Sequence, residues 1–267
     1  MNTLNKIAFY PIKSTQPCFT EQSYVQPHGL SFDREFMLTD EGGTFITARK
    51  HGELYKFSAY PVAQGLIVRH QDGSQILVRY QDFSQQQECE VWGTHFPSYI
   101  APVEINQWFS EKLQTKVVLR WLGKRDQRFI KRFPEHSVSF ADGYPLLLVS
   151  EASFAAVQQA CPVPISINQF RGNLIVSGEE AFAEETWHTI KIGEVEFLHS
   201  KLCERCILTT RNLSTGELEP KCEPFRTLKK IHKNAEGAPL FGINLIPLNS
   251  GVVRVGDNVE VLQRRTV

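Results

Sequence analysis

The stretch Lys201–Glu223, KLCERCILTTRNLSTGELEPKCE, holds three of the chain's six cysteines and sets two of them, Cys203 and Cys206, three positions apart. That spacing leaves several chemistries open. A structural zinc needs four ligands, and His199, Cys203, Cys206 and Cys222 form a conceivable set, although no second CxxC or HxxxH accompanies it. A redox dithiol needs the pair at a helix N-terminus in a βαβ unit, whereas Ile207-Leu208-Thr209-Thr210, which follows, reads as a strand. A single thiolate ligand to a soft, redox-active metal is the third chemistry, and Arg205 beside the sulfur favours the ionised form. Two ordinary cysteines in a barrel wall are the bland alternative.

The 267 residues suffice for one or two domains with their own core. With 42% hydrophobic and 22% charged residues, the chain has the composition of a folded globular protein, not a disordered one. Its 29 basic residues balance 29 acidic ones, so global charge gives no argument for nucleic acid, and any anion site must be a local cluster. The N-terminus, MNTLNKIAFYPIKS, lacks a basic segment followed by an apolar run, and no stretch approaches the roughly 18 apolar residues of a membrane span. The expectation is a cytoplasmic protein with neither a membrane nor a nucleic-acid partner. In that setting six cysteines read as thiols, metal ligands or redox groups, not as a disulfide framework.

Upstream of the cysteines the chain is a succession of short β-rich runs: Ile7–Tyr10, Glu35–Thr39, Leu66–Arg69 and Gln75–Tyr80. Asp40-Glu41-Gly42-Gly43 and Asp72-Gly73 separate them, the latter a hairpin signal. The apolar spacing of Ile105, Trp108, Phe109 and Leu113 predicts a helix over Val103–Leu113. Val117–Leu119 reads as a strand, and Arg120–Arg132 is the densest basic segment, with Asp126 its one acid; it reads as a solvated loop, an anion pocket or a docking face for an acidic protein. Leu146–Val149 predicts a buried strand, and Ser150 or Ser153 an N-cap for a helix running to Ala160. Beyond Leu174–Ser177, two strands flank Gly193, a short basic helix covers Pro224–Lys233, Gly237–Asn244 reads as a loop into a strand at Leu245-Ile246, and a strand pair surrounds Gly256-Asp257. Many short strands at even spacing argue for a mostly β, α+β fold with a closed or nearly closed barrel and a few short helices.

Several polar residues stand at strand ends, where binding residues and ordinary surface charges both occur: Lys13 and Ser14 after Tyr10-Pro11, Arg34 opening a strand, and Arg49 closing Phe45–Ala48. Turn statistics give Asp142, in a turn just before a buried strand, a backbone-capping role.

The segment Leu202–Lys230, with Ala238–Leu262 after it, resembles the MOSC domain shared by molybdenum cofactor sulfurases and the amidoxime-reducing molybdenum enzymes. YPIKS at Tyr10–Ser14, DREFML at Asp33–Leu38, TAR at Thr47–Arg49, SEAS at Ser150–Ser153 and FRGNLIVSG at Phe170–Gly178 are similar to the matching segments of the amidoxime-reducing branch, in the same order. The resemblance implies an N-terminal MOSC partner domain over residues 1–122 and a MOSC β-barrel domain over 123–267. It implies a molybdenum cofactor, a pterin dithiolene with Cys206 as the protein's metal ligand and Cys203 as a nearby structural thiol. It assigns the pterin phosphate to Lys13, Ser14, Arg34, Arg171 and Asn173, where an Arg fork suits a phosphate. Asp142 matches an aspartate near the metal, suited to relaying a proton or ordering water; Gly143-Tyr144 replaces the small hydroxyl-bearing pair expected after it. The implied activity is reduction of N-hydroxylated compounds such as hydroxylaminopurines and amidoximes. With no C-x₄-C-x₂-C run before Val267, electrons are expected from a separate flavodoxin, ferredoxin or flavoreductase-type protein. The competing expectation is a non-catalytic carrier of cofactor or sulfur that uses Cys206.

Overall fold

In the computed structural model, which describes residues 2–123 and 128–265, eight strands form one curled, half-barrel sheet. Their order is Cys18–Thr20, Leu4–Phe9, Leu174–Val176, Leu146–Ser150, Leu240–Pro247, Val195–Glu204, Trp187–Ile192 and Val259–Arg264. The chain's first two strands thus lie in the sheet that residues 146–264 otherwise build. One pair is parallel, Leu146–Ser150 beside Leu174–Val176, and the helix Glu151–Ala160 makes the crossover that parallel pairing requires. A small sheet of Gly251–Arg254, Gln22–Gln26 and Gly29–Leu30 extends the barrel wall, and Val25, Leu30 and Val253 join Leu4, Ile7, Leu148, Phe197 and Leu245 in one core. The expected mostly β architecture with a few short helices is what the chain forms, with three α-helices among the described residues.

A second core lies between the sheet of Phe36–Thr39, Val118–Trp121, Thr94–Ile100 and Gln85–Val91 and the meander Phe57–Val62, Gly65–His70 and Gln75–Arg79. The helix Val103–Leu113 closes it with Ile105, Phe109 and Leu113, the face its spacing predicts, and ends at Gln114 in a left-handed conformation. Ser150 caps the helix Glu151–Ala160 by accepting from the Ser153 N–H at 3.5 Å. Among the described residues, no helix is long and apolar enough to cross a membrane.

Three local expectations are corrected. Ile207–Thr210 is a turn of 3₁₀-helix and not a strand, because the Thr209 and Thr210 hydroxyls donate to the carbonyls of Cys206 and Ile207, three residues back, at 3.0 and 2.8 Å. The expected loop 237–244 is strand from Leu240 onward; Gly242, at φ 79°, has a side-chain position only 2.6 Å from the Leu148 carbonyl oxygen, so no larger residue passes there unstrained. The strands flanking Gly256-Asp257 do not pair with each other: Gly251–Arg254 pairs with Gln22–Gln26, and Val259–Arg264 with Trp187–Ile192.

Candidate functional site

Lys13, Ser14, Arg34, Asp142, Arg171, Asn173 and Cys206, drawn from across the chain, line one cavity of about 530 Å³. That volume suits a cofactor or a small ligand. Backbone strain is concentrated there. Ser14, Arg34, Trp92 and Arg171 are four of the eight non-glycine residues with positive φ among the described residues. Each such conformation costs on the order of 1–2 kcal/mol, and strain of this kind collects at functional sites.

Arg34 and Arg171 sandwich the buried ring of Tyr10, their guanidinium carbons 4.4 and 4.0 Å from its centroid. Burial pushes the Tyr10 phenol up to about 12, against the opposing pull of both arginines. Burial would lower Arg34, but the Asp33 carboxylate, 2.5 Å from its Nη1, more than offsets it and raises the pKa. Arg34 also donates to Asn173 Oδ1 at 3.2 Å and to the Arg171 carbonyl at 3.3 Å. Arg171 is 7% exposed and donates through Nη1 to the Thr15 carbonyl at 2.8 Å, while its buried Nη2 has no partner. Asn173 is committed to the fold as well: it donates to the Ala8 carbonyl at 3.1 Å and accepts from the Leu147 N–H at 3.2 Å.

On the opposite wall, Asp142 faces two cations. Lys13 Nζ bonds one carboxylate oxygen and also donates to the Phe140 carbonyl at 2.7 Å; Arg49 Nη2 reaches the other carboxylate oxygen at 2.8 Å. The capping role expected from turn statistics is therefore replaced by an ion-paired one. Protein surrounds the carboxyl, yet 51% of the side chain is reached by solvent because the cavity is open. Burial pushes Asp142 up, and the charges of Lys13 and Arg49 overcome it, holding the carboxyl well below the usual range. Burial lowers Lys13 to about 8, with Asp142 resisting the shift.

Arg49 links the two walls: its Nε donates to Cys206 Sγ at 3.3 Å while its Nη2 holds Asp142. Its own backbone is fixed by Arg211, whose Nη2 donates to the Arg49 carbonyl at 2.8 Å and whose Nη1 bonds the Gly216 carbonyl. Gly52 and Gly216 touch backbone to backbone at this point, and a Cβ on either would collide with the other. The loop after Cys206 is thus seated on the segment around Arg49.

Arg205 donates to Cys203 Sγ at 2.9 Å and to the Phe170 carbonyl at 2.6 Å, which makes Cys203 its partner and leaves Cys206 to Arg49. The four-ligand zinc set does not assemble. His199 is buried with Nδ1 2.7 Å from the Trp187 carbonyl, Cys222 is exposed, and no group of three or more His, Cys, Asp or Glu suited to a metal gathers among the described residues. All six cysteines are free.

The basic segment Arg120–Arg132 divides. Arg120 is 1% exposed and donates to Thr39, and Arg128 is 5% exposed, so neither is available to a partner protein. Arg128 instead donates to the carbonyls of Ser139, Ala141 and Asp142, fastening the turn that presents the Asp142 carboxylate. Burial lowers its pKa to about 10, with the Asp142 charge opposing. Residues 124–127, including Asp126, lie outside the described residues. Arg49 was visible only as a strand-end cation, and the roles of Arg128 beneath the Asp142 turn and of Trp92 in the cavity had no local signal, because each depends on partners far away in sequence.

Residues 1–116 match the family described as MOSC N-terminal beta barrel domain, and residues 135–260 match the family described as MOSC domain. The chain is 29% identical to the mitochondrial amidoxime reducing component 2 of Rattus norvegicus over 97% of its own length and 83% of that protein's. It is 26% identical to the mitochondrial amidoxime-reducing component 1 of Homo sapiens, with 98% and 83% covered. A molybdenum cofactor sulfurase of Oryza sativa subsp. japonica is 26% identical over 98% of this chain but only 34% of the sulfurase. Two family matches in tandem, spanning the residues that build both walls of the cavity, make this chain a member of the MOSC family with an N-terminal MOSC beta barrel domain ahead of its MOSC domain.

Proposed function

We propose that the cavity holds a molybdenum cofactor and that the protein reduces N-hydroxylated compounds there, with electrons supplied by a separate protein. The observation that carries this reading is the pairing of Cys206, one of two partly exposed thiols lining the cavity, with a cationic wall containing an unpartnered buried donor, Arg171 Nη2. A buried guanidinium N–H without an acceptor is costly, and a phosphate oxygen is the acceptor for which its geometry is suited. The residues therefore fit the group. Cys206 is the metal ligand, a soft thiolate for a soft, redox-active metal. Arg171, Arg34, Ser14 and Lys13 hold the phosphate, with Asn173 fixing the backbone and the Arg34 fork behind them. The bound cofactor supplies the two-electron redox chemistry.

The protein's own groups do the rest. Removal of oxygen from an N–OH group as water consumes two electrons and two protons, so the site must place proton-bearing groups and water beside the substrate. Asp142, kept ionised by Lys13 and Arg49, suits accepting a hydrogen bond from water or a substrate N–H and orienting it, more than donating a proton itself. Arg49 positions that carboxylate relative to the Cys206 sulfur. In this reading the halves 1–122 and 123–267 act jointly: the first contributes Lys13, Ser14, Arg34 and Arg49, and the second Asp142, Arg171, Asn173 and Cys206. A small N-hydroxylated substrate and a flavodoxin, ferredoxin or flavoreductase-type donor are the partners, in a cytoplasmic setting. Names of the relatives support the same chemistry, since two are amidoxime-reducing components.

The second reading, a carrier of cofactor or sulfur on Cys206, draws on the relative named molybdenum cofactor sulfurase. One experiment separates them. Protein made in a host that synthesises the cofactor is assayed for molybdenum and pterin, then given a chemical reductant and benzamidoxime. About one molybdenum per chain with amidine formation supports the reductase. Full loading without turnover by any reduced donor supports the cofactor carrier, and absence of both metal and pterin sinks the reductase and the cofactor carrier alike.

A further inference from the structure

Trp92 stands at the tip of the hairpin joining Gln85–Val91 to Thr94–Ile100, and it lines the same cavity as Cys206 and Asp142. Its position is costly in two ways. The ring is 48% exposed, where a buried indole would gain far more from burial, and the backbone holds φ at 52°, a left-handed conformation that hairpin tips usually give to Asn or Gly.

The ring is nevertheless held in place. Phe45 meets it edge-on with centroids 5.1 Å apart, the Arg49 guanidinium lies 4.6 Å from its centroid, and Lys131 Nζ donates to the Trp92 carbonyl at 3.1 Å. The nearby indole adds, after Lys13 and Arg49, to the lowering of the Asp142 carboxyl. A large flat ring that is rigid, half-exposed and beside the two candidate reacting groups has the properties of a stacking surface. Of the other aromatic rings that line the cavity, Phe170 is buried and Tyr144 half-buried, so Trp92 is the most exposed broad apolar surface there.

We propose that Trp92 is the specificity-determining residue of the site, a platform on which a planar aromatic ring of the substrate stacks so that its N-hydroxyl group reaches the region between Asp142 and Cys206. This rests on the reductase reading above. Stacking of a base on an aromatic side chain is worth roughly a tenfold or larger change in binding when the side chain is cut to alanine. The surface is sequence-tolerant, because it reads a π-face and not a pattern of donors and acceptors; it distinguishes aromatic from aliphatic substrates more than one aromatic from another.

The test compares benzamidoxime with acetamidoxime on the molybdenum-loaded protein and its Trp92→Ala and Trp92→Phe variants, using a chemical reductant. The expected result is a higher kcat/KM for benzamidoxime in the wild type, a ratio that falls about tenfold in Trp92→Ala, mostly through KM, and is largely kept in Trp92→Phe. A second readout needs no turnover. Benzamidoxime added without any reductant should quench tryptophan fluorescence saturably in the wild type, and the quench should disappear in Trp92→Phe because Trp108, Trp121 and Trp187 are away from the cavity lining. An unchanged aromatic-to-aliphatic ratio in Trp92→Ala, or an equal quench in Trp92→Phe, overturns the proposal. If neither amidoxime is reduced by any variant, the reductase reading fails, whereas saturable quenching confined to Trp92 would still uphold the platform.

Discussion

Replacing Asp142 with asparagine tests the electrostatic centre of the cavity. The change keeps the shape of the side chain but removes the charge that faces Lys13 and Arg49. Lys13 is 6% exposed, so its ammonium is left nearly buried with only the Phe140 carbonyl as acceptor. Breaking a fully buried pair costs about 3–5 kcal/mol. Because half of the Asp142 side chain is solvated, screening reduces this to about 2 kcal/mol at neutral pH. Urea unfolding of wild type and Asp142→Asn, each in the cofactor-free form, measures it. The pH dependence fixes the cause. The native carboxyl pKa lies below the unfolded one, so its stabilisation is fully present above the ordinary carboxylate value of 3.8 and is lost as pH falls toward the lower native value. The gap between the two proteins should be constant from about pH 5 to 7 and narrow below about pH 4. It should also shrink above pH 8, where Lys13 gives up its proton and its attraction to Asp142 ends. Lys13→Met in the Asp142→Asn background should recover part of the lost stability, since it removes the stranded charge. A variant as stable as wild type across pH 5 to 8 would refute the account of Lys13, Arg49 and Asp142 as one coupled unit.

Other outcomes follow from the same geometry. Cys206→Ala should abolish molybdenum-dependent activity, while Cys203→Ala, which loses the Arg205 contact and some packing, keeps more of it; steady-state rates normalised to protein fold decide this, and equal activity of Cys206→Ala and wild type would remove Cys206 as ligand. Arg171→Met should leave the fold intact but weaken pterin retention by tenfold or more, the scale of a charge-assisted hydrogen bond, read as pterin per chain after dialysis. Gly52→Ala should destabilise the protein by about 1–3 kcal/mol, because its methyl has no space against Gly216 and Arg211; thermal melting checks it.

The helix Val103–Leu113, the Asp72-Gly73 hairpin and the Ser150 cap were legible because each is specified by residues a few positions apart. Gln85–Val91 and Thr94–Ile100 were not, since the first is largely polar and solvent-facing and the second contains Pro97. Thr209 and Thr210 misled for a related reason: β-branched residues favour strands, but here their hydroxyls tighten a 3₁₀ turn. At the site, spacing left zinc, dithiol and single-thiolate chemistries all open, the dithiol least, and family resemblance singled out Cys206 and the phosphate-binding set. Arg49 could be named as a strand-end cation but not connected to its partners, because Asp142 and Cys206 are 93 and 157 positions away. Arg128 was counted in a basic run, and only tertiary packing turned it inward.

The backbone contact of Gly52 with Gly216 bears on how such proteins exchange parts. Where the two halves meet through bare main chain, the fit at that point is one of shape. A chimera that grafts a foreign first or second half onto this chain, even one that keeps both glycines, would need loops of matching length and curvature around them. Arg211, which reaches across to the Arg49 carbonyl, would register any mismatch directly as a displaced Arg49. Compatibility between halves is therefore readable as Arg49 placement, and a grafted protein that folds but has lost the Arg49–Cys206 contact would be a fold without a working centre.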